Sequence, residues 1–87
     1  MTASASGLEA QLRPKIDQLR AKADALATAV RERHQEAMEA QEVREYARAA
    51  ALMSEVEQLN VRCNRANRAW LKLVVQVMNA NNGGLEH

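Results

Sequence analysis

Two apolar seams run through this 87-residue chain, each with strict heptad spacing, and they do not share a register. Leu12, Ile16, Leu19, Ala23, Leu26, Val30, Arg33 and Ala37 are separated alternately by four and three residues. Ala49, Leu52, Val56, Leu59, Cys63, Ala66, Trp70, Leu73, Val77 and Ala80 obey the same rule. Such alternation lays one side of an α-helix against a partner helix. Extending the first seam requires positions 44 and 51, whereas the second uses 49 and 52. One straight coiled coil does not absorb that offset, so the chain is expected to break between the seams and fold back. The competing arrangement is one helix of about 65 residues that dimerises along its length, since helix propensity alone supplies no interruption.

Composition supports helices throughout. Ala, Glu, Arg, Gln and Leu dominate, with one Trp, one Tyr, no Phe, three Gly and one Pro. Those residues form helices readily and leave little to punctuate strands or hairpin turns. The expected fold is all-α: an antiparallel helical hairpin of two long helices, coiled-coil-like, associating into a helical bundle. A chain of this length has one small domain with a limited core, and such cores commonly rely on oligomerisation or a staple.

No Gly, Pro or Asn marks the turn, so charge has to place it. Arg31, Arg33 and His34 suit a helix C-terminus, and Glu39, Glu42 and Glu45 suit the first turns of a following helix. That puts the turn near residues 36–41, with arms of roughly 25 and 40 residues. Residues 1–12 read as a frayed N-terminus or a short first turn. Ser6 and Glu9 have capping-box spacing, which would start a helix near Gly7. Pro14 fits better in the first turn of the main helix, because inside a helix it removes a hydrogen bond and crowds the preceding turn. The second helix is expected to end near Asn79, at the Asn-Ala-Asn-Asn-Gly-Gly run. Residues 13–80 then make the hairpin domain and 81–87 a flexible C-terminus. Leu85-Glu86-His87 resembles the start of a vector-encoded affinity tag and is excluded from functional reasoning.

The net charge of +1 gives no global electrostatic case for nucleic acid or an anionic membrane. Its distribution is uneven. Residues 32–57 hold seven acids and three Arg, a balance of −4; residues 58–84 hold Arg62, Arg65, Arg68 and Lys72 and no acid, a balance of +4. The first twenty residues lack a basic start followed by an apolar core, so no signal peptide is read. A single Cys fits a reducing compartment. A cytoplasmic protein, of bacterial type, is the expectation.

Catalytic chemistry has little support, and the chain is read as a non-enzyme with no catalytic residues, no metal and no cofactor. His34 falls in the polar turn region and reads as a solvated helix-end residue. Glu36, Glu39, Glu42 and Glu45 recur every three residues, but the Glu-x-x-His pairs of di-iron bundles are absent, so they read as a solvated acidic face. Cys63 lies on the seam between Leu59 and Ala66 and reads as a small core hydrophobe. Arg62, Arg65, Arg68 and Lys72, interleaved with Asn60, Asn64 and Asn67, could meet phosphates as in small Rop-type helical hairpins. An exposed basic face is the favoured reading. Asn60 and Asn67 lie beside the seam, where amides tend to set register.

The strongest functional signal is Trp70–Met78, with seven apolar residues in nine. Trp70, Leu73 and Val77 continue the seam, while Leu71, Val75 and Met78 point elsewhere; Tyr46, Met53 and Val74 widen the apolar face on one flank. The first helix cannot cover all of this. The candidate partner-binding residues are therefore Trp70, Leu71, Leu73, Val74, Val75, Val77 and Met78. The segment contains Lys72 and is far too short to span a bilayer. The function expected is a small adaptor or chaperone-like module that buries this face against a protein partner, by architectural analogy with secretion co-chaperones. The alternatives are a self-contained homo-oligomeric four-helix bundle and, less favoured, a nucleic-acid-binding hairpin.

Overall fold

The computed structural model describes residues 3–85, with side chains over 7–81. Two α-helices, α1 (Ala3–Glu42) and α2 (Tyr46–Leu85), pack against each other as a hairpin. Each has 40 residues, about 60 Å at 1.5 Å per residue, which accounts for the long axis of 64 Å beside widths of 20 and 14 Å. The all-α hairpin expected from the two seams is the observed fold.

Every residue of the second seam is buried or half-buried, and so is every residue of the first except Arg33. That guanidinium stays exposed, donates to Glu36 Oε2 at 2.7 Å, and has its pKa raised by that bond, by the Glu36 charge and then by Glu55 on α2. Beside the turn, Ala37 and Ala40 pack with Ala49 and Leu52. Within that cluster the numbers of Ala40 and Ala49, and of Ala37 and Leu52, each add to 89. Carried outward, the same register pairs Val30 with Leu59, Ala23 with Ala66, Leu19 with Trp70, Ile16 with Leu73 and Leu12 with Val77. Contacts along the hairpin agree within a turn: Cys63 Sγ donates to the Ala23 carbonyl at 3.5 Å, and Arg20 lies over Trp70. Four of the seven buried core residues are Ala, so the helices meet over small side chains and the core is thin.

The turn is at Val43–Glu45 rather than residues 36–41. The first seam continues to Ala40, which is buried, so α1 gains packing by running on. A charge at a helix end is worth about 0.3–1 kcal/mol, less than two further turns of hydrogen-bonded, partly buried helix. Glu39 and Glu42 consequently lie at the C-terminal end of α1, where the dipole disfavours acids, and no acid occupies the first turn of α2. The stop is a Schellman motif. Glu45 N donates to the Ala40 carbonyl at 2.8 Å and Arg44 N to that of Gln41 at 3.0 Å, with Arg44 at φ 62°. Glu45 then opens α2, its carbonyl accepting from Ala49 N at 2.9 Å.

A side chain at that left-handed position is strained by its β carbon. Arg44→Gly is accordingly expected to gain about 1 kcal/mol in urea unfolding, while Arg44→Ala changes little. Equal midpoints for Gly and Ala would mean that the turn carries no such strain.

Both ends of the hairpin also differ from expectation. α1 starts at Ala3, placing Pro14 inside the helix rather than in its first turn, so residues 3–12 are continuous with the main helix. A Pro costs a helix without forbidding it when the turns on either side can form. α2 passes Asn79 and runs to Leu85, so helix also covers most of 81–87; Gly and Asn lower helix propensity but clash with nothing. The Ser6 side chain of the proposed capping box and the last two residues of the tag-like end lie outside the described residues.

Candidate interaction face

The apolar run Trp70–Met78 divides across two sides of α2. Val77 is buried, and Trp70, Leu73 and Val74 are half-buried against α1. Leu71, Val75 and Met78, spaced by four and three residues, remain 46%, 50% and 55% exposed. They form one stripe, because residues three and four apart share a helix face. The groove beside this stripe is lined by Ile16, Val74, Val77 and Met78, with Arg13 and Arg20 at its α1 edge.

Trp70 is held by polar contacts as well as by packing. Its Nε1 donates to Asn67 Oδ1 at 2.8 Å, and the Asn67 amide donates to Cys63 Sγ at 3.8 Å. The Arg20 guanidinium sits 5.2 Å from the indole centroid, a cation–π distance. Asn67 thus works inside the hairpin, holding the indole of Trp70 between its own amide oxygen and the Arg20 guanidinium. Cys63 is half-buried and engaged with α1, which agrees with its reading as a seam residue.

Arg62, Arg65, Arg68 and Lys72 are all exposed, and Arg65, Arg68 and Lys72 share one side of α2. Arg62 and Arg65 line a shallow groove with Lys22 of α1, whereas Arg65 and Arg68 flank Val61 and Asn64 on a neighbouring side. Lys22 joining Arg62 and Arg65 was not visible from spacing on α2 alone, because it depends on the hairpin register.

Among the acids near the turn, Glu36 pairs with Arg33, Glu39 accepts from Gln35 and Glu45 pairs with Arg48. His34 is exposed. Among the described residues, no group of three or more His, Cys, Asp or Glu side chains could hold a metal ion. No described helix is long and apolar enough to cross a membrane.

The accessible surface is 6741 Å² for 9.7 kDa, where a compact monomer of that mass exposes about 5,100 Å². The excess, about 1,600 Å², reflects the elongated shape, 64 Å long and 20 by 14 Å across. Comparison with protein families, curated proteins and solved structures finds no match to this chain.

Proposed function

We propose that this chain is a non-enzymatic interaction module, a small cytoplasmic adaptor or chaperone-like hairpin that buries the outer side of α2 against a helical partner. The observation carrying this reading is the stripe Leu71, Val75 and Met78, left about half exposed while the seam beside it is buried or half-buried against α1. Covering the remaining surface of each side chain is worth about 1 kcal/mol. Polar substitution there should cost the isolated hairpin little, since about half of each side chain already faces water.

The test pairs Leu71→Glu with Val75→Glu. Helicity by circular dichroism and the melting temperature are expected to stay close to wild type, while association through this face is lost. Measured unfolding of the double variant would show that the stripe supports the hairpin itself and would remove the reading. A homo-oligomeric four-helix bundle is the second reading, favoured by the pattern of a further row on α2.

A further inference from the structure

α2 carries a second seam on its outer side, one position on from the seam that faces α1. It begins with Tyr46, Ala50 and Met53, passes through Glu57, Asn60, Asn64 and Asn67, and ends with Leu71, Val74 and Met78; Asn67 and Val74 are half-buried at its edge towards α1 and the other eight are exposed. The steps alternate four and three without a slip, the signature of a helix-facing row. Tyr46 and Met53 are 62% and 40% exposed, so both apolar ends are open, as Leu71 and Met78 are. The row is apolar, then polar, then apolar, and has the same character read in either direction.

An antiparallel copy of the same helix matches it. Tyr46 then faces Met78 of the second copy, Ala50 faces Val74, Met53 faces Leu71 and Asn60 faces Asn64, each pair of numbers adding to 124. Apolar ends meet apolar ends, Asn60 meets Asn64 at the centre, where a two-fold axis would pass, and Glu57 comes beside Asn67.

Charge selects the direction. The half of the hairpin nearest the turn, residues 32–57, has the balance −4 already counted. In the open half, residues 7–31 add five cations and three acids, +2, to the +4 of residues 58–84, giving +6. A parallel copy sets +6 beside +6 and −4 beside −4. An antiparallel copy sets each acidic half beside a basic one, and that preference weakens with salt.

Resting on the reading of this chain as an interaction module, we infer that the occupant of the outer α2 face is a second copy, lying antiparallel to complete a four-helix bundle. The experiment uses the full chain with Cys63→Ala as background. Met53→Cys and Leu71→Cys are introduced separately, and the two proteins are mixed in a glutathione redox buffer after light scattering has fixed the mass. The expected result is a dimer of twice 9.7 kDa, a disulfide linking position 53 of one chain to 71 of the other, and affinity falling several-fold with added salt. Like-to-like disulfides, 53 with 53 and 71 with 71, would overturn the antiparallel arrangement. A monomer at all concentrations would overturn the second copy as occupant. The module reading would then stand or fall separately, on whether a different purified protein binds wild type and loses Leu71→Glu with Val75→Glu.

Discussion

Leu52→Ala is expected to lower the unfolding free energy by about 2–3 kcal/mol, whereas Leu71→Ala changes it by less than about 0.5 kcal/mol. Leu52 is the largest side chain in the cluster beside the turn, where its neighbours are Ala37, Ala40 and Ala49. Three Ala side chains cannot swing into the space that Leu leaves, so most of the lost contact stays lost. A small single core rarely supplies more than about 3–5 kcal/mol in total, so this one substitution removes about half of it. Both variants are checked by urea unfolding with matched slopes. Similar losses at positions 52 and 71 would mean that the inner and outer faces of α2 are buried alike in the isolated protein, which contradicts the hairpin as described.

Pro14→Ala is expected to stabilise α1 by up to about 3 kcal/mol. Pro14 is exposed and lies within α1, so its ring makes no core contact that Ala would forfeit. Alanine restores an N–H donor to the Ala10 carbonyl and relieves crowding in that turn. The gain should appear as a higher melting temperature and as slower hydrogen exchange in the turns before residue 14. A gain of only a few tenths of a kcal/mol is what a proline in a first helical turn would give, and that result would mean the working helix begins at Pro14.

The helices, their amphipathic sides and the fold-back were legible because each depends on spacing within one segment. Heptad alternation fixes which side of a helix is apolar, whatever that side meets, and all ten positions of the second seam turned inward. The pattern also separated Leu71, Val75 and Met78 from their seam neighbours. Arg33 was legible as the weak point of its seam, and its guanidinium does reach solvent beside Glu36.

The turn was missed because its signal is relational. A seam ending at Ala37 and one continuing to Ala40 have equal claims from spacing, and each gives a different mirror point between the helices. Burial of Ala40 in one cluster with Ala37, Leu52 and Ala49 settles the choice, and the turn then falls at Val43–Glu45. Arg44 takes the left-handed position usually given to Gly because closure of the hairpin outweighs about 1–2 kcal/mol of local strain. Charge misled for the same reason: the acids near the turn interact with a helix dipole by less than the burial they accompany.

By itself the sequence determined two amphipathic helical segments whose seams are out of register, an apolar excess on the second, and an acidic middle followed by a basic C-terminal third. These follow from residue type and a local period, which need no knowledge of neighbours. Only the tertiary structure decided the register that joins the helices, the turn at Val43–Glu45, the Arg20–Trp70–Asn67–Cys63 contacts, and the meeting of Lys22 with Arg62 and Arg65. Those depend on residues distant in sequence being brought to one height along the hairpin, and that height is set by which small side chains allow the two backbones to close.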